Sequence, residues 1–226
     1  MNKKKFISDV HIGSKTCQAK NLLELLKESP NDEEWIIVGD LYEKGGTITD
    51  EQFQLIGCLR KNRDRIICID GNHDPAEEEL VKIIIGLEPV KKYEWEMYGK
   101  KFCAIHGHQF DRWCFVFSEP LIDKIFSYLA RLLKRINYQN FNLSKWFDNL
   151  WDKFSLRIAK KAKKYAKKRG IDVIICGHTH KPLHFVFFDK NGRKTDYYNC
   201  GDWIESFSFI TIDECGKIKL HSTAPN

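Results

Sequence analysis

"RIICIDGNHD", residues 65–74, ends an apolar run on an amide, an imidazole and a carboxylate. Ile66, Ile67, Cys68 and Ile69 read as a buried strand, and Gly71 permits a turn behind it. Asn72, His73 and Asp74 have an ordinary explanation as turn residues, with Asp74 before Pro75 capping a following helix. The same pattern recurs four times, which changes its weight. "KKFIS" (4–8) leads into "SDVHIG", "WIIVG" (35–39) into Asp40, "KFCAI" (101–105) into "HGHQF", and "DVIICG" (172–177) into "HTH". Six of the eight histidines fall at these strand ends, so the clusters are not scattered turn residues. In extended chain, residues two apart point to the same side, so Asp9 with His11, His106 with His108, and His178 with His180 can each face one ion. The carboxyl ends of parallel strands meet at one edge of an α/β sheet, where five polar clusters would converge.

The ordering of elements supports that sheet. Helical patterns lie between several strands, as in "NLLELLKE" with Leu22, Leu23, Leu25 and Leu26 on one stripe. From "HFVFFD" onward, "KNG" and "ECG" read as turns and "SFSFITID" alternates, which predicts further antiparallel strands and a second sheet. The chain reads as a single α/β domain over 1–226, interrupted by a helical basic insertion over 115–170. In that insertion "PLIDKIFSYLARLLKRI" and "LSKWFDNLWDKFSLRIAKKAKKYAKKRG" carry apolar residues at helical intervals, the second ending at Gly170.

Composition narrows the class. With 226 residues and 42% hydrophobic content the chain can fill a core and is not disordered. No apolar run is long enough to span a membrane, and "MNKKKFISDVHIGS" turns polar too early for a signal peptide, so a cytoplasmic location is expected. The eight cysteines form no C-x-x-C pair and five lie in or beside apolar runs, which favours buried free thiols over disulfides or a zinc ribbon. The net charge of +6 is unevenly held: residues 115–170 carry 14 Lys and Arg against 4 Asp and Glu. The rest of the chain is therefore slightly acidic.

The candidate donors mix oxygen and nitrogen without thiolate, which suits Mn, Fe, Zn or Co, and they are too many for one tetrahedral ion. Taken in order, D-x-H, G-D, G-N-H-D, H-G-H and G-H-T-H between residues 8 and 180 resemble the calcineurin-like metallophosphoesterases. The resemblance implies a two-sheet β-sandwich flanked by helices and a centre of two divalent ions, Mn foremost with Fe, Zn or Co as alternatives. It implies that Asp9, His11 and His180 hold one ion, that Asn72, His106 and His178 hold the other, and that Asp40 bridges. His73 then faces substrate as the catalytic imidazole, with Asp74 orienting it. A hydroxide bridging two ions about 3.5 to 4 Å apart would attack phosphorus in line. His73 would stabilise charge growing on a phosphoryl or leaving oxygen.

"SDVHIGSKTCQAKNLLELLK", "HGHQFD", "CGHTHKP" and "YYNCGDWIES" further resemble the branch containing UDP-2,3-diacylglucosamine pyrophosphatase, a lipid A pathway enzyme whose helical insertion acts as a lid. In that branch Arg usually stands where His73 does and Asp where His108 does. The substrate class therefore extends to other phosphodiesters, pyrophosphates and nucleotide-linked lipids. A general phosphodiesterase or nuclease is the enzymatic alternative. A non-catalytic interaction module, like the retromer subunit of this fold, is the other. Asn72, His108, Lys15, Gln18, Arg112 and Trp113 are the candidate substrate contacts. From Lys153 to Arg169 there are nine basic residues and no acidic one, near Trp146, Phe147, Trp151 and Phe154. That pattern reads either as a solvated helix face or as peripheral contact of 143–169 with an anionic membrane, with nucleic acid the weaker candidate. Asp202 and Glu205 are assigned a structural or substrate-edge role, and His184 and His221 none.

Overall fold

Along each central strand, successive side chains enter different cores. In β1 (Lys4–Ile7) and β2 (Glu34–Val38), Phe6, Ile36 and Val38 face one cluster while Ile7, Trp35 and Ile37 face another. Both faces are covered, so these strands read as continuous apolar runs. The computed structural model describes residues 3–43, 45–72, 81–111 and 143–222, with backbone alone at residue 83 and residues 143–148.

Two five-stranded sheets result. The first runs β10 (Ile218–Ser222), β9 (Ser208–Ile212), β1, β2, β3 (Ile66–Ile69), and the second β4 (Tyr93–Met97), β5 (Lys100–Ala104), β6 (Val173–Cys176), β8 (Lys194–Asn199), β7 (Leu183–Phe188). β3 lies parallel to β2, and β2 parallel to β1. In the second sheet β4 forms a hairpin with β5, and β6 is parallel to β5. The C-terminal strands divide between the sheets. β7 pairs antiparallel with β8, which lies beside β6, whereas β9 and β10 extend the first sheet beyond β1. Asp189 and Asp213 each accept two backbone N–H groups across the turn, with Gly192 and Gly216 at positive φ. These are the "KNG" and "ECG" turns expected from sequence.

Phe6, Ile36, Val38 and Ile69 of the first sheet meet Phe102, Ala104, Val173 and Ile175 of the second, so the sheets stack face to face. Helix α1 (Ala19–Glu28) buries Ala19, Leu22, Leu23 and Leu26, and α2 (Asp50–Lys61) buries Leu55, Ile56 and Leu59, both against the outer face of the first sheet. Thr49 and Gln52 close a capping box on α2. Gln52 also accepts from Gly13 N at 3.1 Å and donates to Ser14 O at 2.8 Å, which fixes the loop behind His11.

Helix α3 (Leu143–Arg169) covers the second sheet through Ile158, Ala159, Ala162 and Ala166. It stops where Gly170 takes φ +69° and Ile171 N donates to Ala166 O. The second half of the basic segment is thus an outer-layer helix of the sandwich. The first half, through residue 142, lies outside the described residues. Cys68, Cys103, Cys176 and Cys200 are buried free thiols. Among the described residues no helix is long and apolar enough to cross a membrane.

Candidate metal centre

Five strands deliver their polar ends to one place, and they come from both sheets. Asp9 and His11 follow β1, Asp40 follows β2 and Asn72 follows β3; His106 follows β5, and His178 and His180 follow β6. Asp9, His11 and His180 form one donor group and Asp40, His106 and His178 another, the donor atoms of each lying within 4.8 Å of one another. Asn72 Oδ1 stands 3.1 Å from His106 Nε2 and so joins the second group. Asp40 Oδ2 is 3.2 Å from the same nitrogen, and Asp9 Oδ1 is 3.2 Å from His180 Nε2. The groups are stitched together by backbone: Val10 N and His11 N both donate to Asp40 O, and His178 N donates to Asp9 Oδ2 at 3.0 Å.

The local chain is strained to achieve this. Asp9, His11, Asp40, His178 and His180 all hold left-handed backbone, with φ between 50° and 70°. They are five of the seven non-glycine residues in that region among the described residues. Each costs about 1–3 kcal/mol, which the surrounding packing must over-determine. Two glycines leave room for the carboxylates, Gly71 within the first sheet and Gly177 between the sheets. A Cβ on Gly71 would stand 2.8 Å from Asp40 Cγ and overlap its Oδ1 and backbone N. A Cβ on Gly177 would stand 2.6 Å from Asp9 Oδ2. Gly71 is required for space against Asp40, beyond the turn its position in "GNHD" suggests.

Each imidazole is also held from its far side or beside it. His11 Nδ1 donates to Glu43 at 2.7 Å, and His106 Nδ1 donates to Val38 O at 2.7 Å. Asp202 lies 3.7 Å from His180 Nδ1, and Asp111 lies 3.2 Å from His178 Nε2. Such partners fix ring orientation. Burial alone would depress His106, but the charge and hydrogen bond of Asp40, with Asp9 and the Val38 carbonyl, raise it to about 10. Burial is likewise outweighed at His180, where Asp9, then Asp202 and Asp40, raise it to about 9. Burial pushes Asp9 up and His180 pulls it down, to about 2 on balance. The buried carboxylates thus draw positive charge, which divalent cations supply. With two carboxylates, four imidazoles and one amide, the donor chemistry fits Mn, Fe, Zn or Co.

Of the substrate candidates, His108 is brought to the centre, its ring 5.4 Å from that of His106. Burial, with His106 and His178 adding, lowers it to about 4, so it is neutral at pH 7. It lines a cleft of about 440 Å³ with Asp70, Gly71, Lys91, Lys92, Gln109 and Tyr165. Lys15 is exposed. Gln18 is engaged locally, donating to Thr16 O and accepting from Asn21. His73, Asp74, Arg112 and Trp113 lie outside the described residues. Glu43, Asp111 and Asp202 were not singled out from sequence as neighbours of these histidines. Glu43 follows Asp40, and Asp111 follows His108, by three residues, a weak signal at best. Asp202 comes from a distant loop, brought in because Trp203 N donates to Asp9 O. His184 stacks on Tyr198 and contacts Asp196, and His221 contacts Thr211, away from the donor groups as expected.

On α3, Lys153, Arg157, Lys160, Lys164 and Lys168 are exposed at three- and four-residue spacing, forming one stripe. Trp151 and Phe154 turn toward the donor groups: Trp151 Nε1 donates to Thr179 O at 2.7 Å, and the Phe154 ring lies edge-on to His178.

The fold has counterparts. Over nearly their full lengths, solved structures of similar shape include the phosphoesterase YfcE from E. coli (17% identity, 99% of this chain and 100% of that one, TM-score 0.51). Vps29 from Chaetomium thermophilum is 13% identical over 99% of this chain and 95% of that one, TM-score 0.52. An archaeal phosphodiesterase is 16% identical over 97% and 99%, TM-score 0.50. At such identities the likeness is one of fold. No curated protein matches the chain. The family model for calcineurin-like phosphoesterases matches residues 4–182, from β1 through the last candidate donor, and on that match the chain belongs to the calcineurin-like phosphoesterase family.

Proposed function

We propose that this protein is a dinuclear metal-dependent phosphoesterase that hydrolyses a phosphodiester or diphosphate bond. The observation that carries the proposal is the pair of donor groups, each containing a buried carboxylate and two imidazoles, with Asn72 beside the second. Asp9, His11 and His180 would hold one ion, Asn72, His106 and His178 the other, and Asp40 would bridge. Two ions bound there supply Lewis acidity and activate water near neutral pH. The chain's own part is orientation. Glu43, the Val38 carbonyl and Asp202 set the imidazole faces, and the glycines at 71 and 177 leave the carboxylates room to stand where they do. His73 is assigned the hydrogen bond or proton to the phosphoryl or leaving oxygen, and Asp74 its support. A purely structural role for this centre would give no reason to hold five donors in left-handed backbone.

For the substrate we infer a nucleotide-linked lipid such as UDP-2,3-diacylglucosamine, or a related diphosphate. The cleft beside Gly71 and His108 supports this reading: Lys91 and Lys92 offer cations to a further anionic group, and its volume suits a sugar phosphate. Lys92 is paired with Glu94 at 2.8 Å, but both are well exposed and such a pair exchanges readily. Peripheral contact with an anionic membrane is inferred for the stripe from Lys153 to Lys168, where each cation near the surface contributes about 1 kcal/mol. Arg112, Trp113, Lys15 and Gln18 are retained as candidate contacts at the substrate mouth. The deciding experiment incubates Mn-loaded protein with UDP-diacylglucosamine and, in parallel, with bis-p-nitrophenyl phosphate, RNA and a cyclic nucleotide. UMP release supports the lipid reading. Cleavage of the generic substrates alone assigns a general phosphodiesterase or nuclease, and no cleavage of any refutes the enzyme.

A further inference from the structure

One turn of α3 grips the loop that carries two candidate donors. Trp151 Nε1 donates to the carbonyl of Thr179, the residue between His178 and His180, at 2.7 Å. One residue on, Asp152 is ion-paired with Lys181, immediately after His180. Three residues on from Trp151, the ring of Phe154 meets that of His178 edge-on at 6.2 Å, and Trp151 itself packs on Phe154 at 5.3 Å. The gripped loop is held in other ways: Asn199 Nδ2 donates to Thr179 Oγ1, and Thr179 N donates to Gly177 O. The first of these comes from β8 of the second sheet, and the other lies within the loop itself. His178 and His180 both hold left-handed backbone, at φ 70° and 54°, so Thr179 between them must be pinned to stay there.

We propose that Trp151 is a positioning residue for both donor groups at once, acting through the Thr179 carbonyl. His180 belongs to the first group and His178 to the second, and only Thr179 stands between them, so rotation of the Thr179–His180 peptide swings His180 directly and drags Thr179, the neighbour of His178, with it. The indole N–H fixes that peptide's carbonyl, and Phe154 limits the swing of the His178 ring. This rests on the metal reading above. It adds that a helix of the outer layer, not only the strands, determines donor spacing.

The test compares Trp151→Phe, which keeps a ring and removes the donor, with Ile158→Val on the same helix, which trims a side chain that is 1% exposed and packs in the apolar cluster beneath the helix. Mn binding is measured by titration calorimetry, and the spacing of the two ions is read by electron paramagnetic resonance of the spin-coupled pair. Trp151→Phe is expected to weaken Mn binding about fivefold or more and to alter the coupled signal. Ile158→Val is expected to lower the melting temperature with affinity and signal intact. Equal Mn affinity in wild type and Trp151→Phe overturns the inference, as does equal loss in the two variants. If Trp151→Phe does not fold, Phe154→Leu carries the same comparison. Wild type that binds no Mn refutes the metal reading and this inference together, whereas failure of Trp151→Phe alone to differ refutes only the latter.

Discussion

Gly71→Ala is the sharpest test of how the centre is packed. The added methyl would stand 2.8 Å from Asp40 Cγ and nearer still to Asp40 Oδ1 and backbone N, where real Cβ contacts fall no closer than 3.0 Å. Asp40 has nowhere to retreat. It is 1% exposed, its carboxylate meets His106 and its carbonyl accepts from Val10 and His11. Overpacking of this kind costs about 1–3 kcal/mol. At about 2–4 °C per kcal/mol for a chain of this length, the melting temperature should fall by roughly 2–12 °C. The larger loss should be in metal binding, since ligand distances tolerate only about 0.2 Å. Gly57→Ala supplies the contrast: Gly57 lies inside α2 with nothing within 4 Å of the added Cβ. Removing a helical glycine should there stabilise by about 0.5–1 kcal/mol and leave metal binding alone. Scanning calorimetry with and without Mn, paired with Mn titration, reads both quantities. Gly71→Ala that binds Mn as wild type does would refute the packing argument.

Three further outcomes are expected. Asp40→Ala should lose Mn while His73→Ala keeps it and loses most turnover; equal metal loss by elemental analysis would sink the division of roles. In the metal-free protein, His106 near 10 and His180 near 9 against an ordinary 6.5 mean that their protonation stabilises the fold fully below pH 6.5 and ceases to do so as pH rises through 9 and 10. Mn competes with those protons, so its apparent affinity should rise with pH, and calorimetry in two buffers of different ionisation enthalpy should detect proton release at pH 7.5; none would show the imidazoles already neutral. Asp202→Asn should weaken Mn binding about tenfold through His180, and an unchanged affinity would assign Asp202 to its loop alone, where Oδ1 accepts from Ile204, Glu205 and Ser206.

The strands and donor types were legible because metal ligands at strand ends break an apolar run abruptly. The assignment of those strands to two sheets was not. A strand buried on both faces shows no alternation, so nothing in "WIIVG" or "DVIICG" says which neighbour it takes. The helix of residues 143–169 is legible as a helix, but its contact with the second sheet is not. Ala159, Ala162 and Ala166 make that contact, and alanine gives little hydrophobic signal beside nine cations. Helix α2 carries its cap in plain view, with Thr49 three residues before Gln52. The left-handed donors have no sequence signature: Asp and His enter that region more readily than most residues, yet far more often lie elsewhere.

The division of each donor group between the sheets makes the centre a sensor of assembly. The first sheet contributes Asp9, His11, Asp40 and Asn72; the second contributes His106, His178 and His180. Neither half alone presents a complete coordination set, so a chain that has formed only one sheet should hold metal poorly and stay chemically inert. If the proposed ions bind there, cation capture and the docking of the two halves become one thermodynamic event, and the proposed hydrolysis waits until the sandwich has closed.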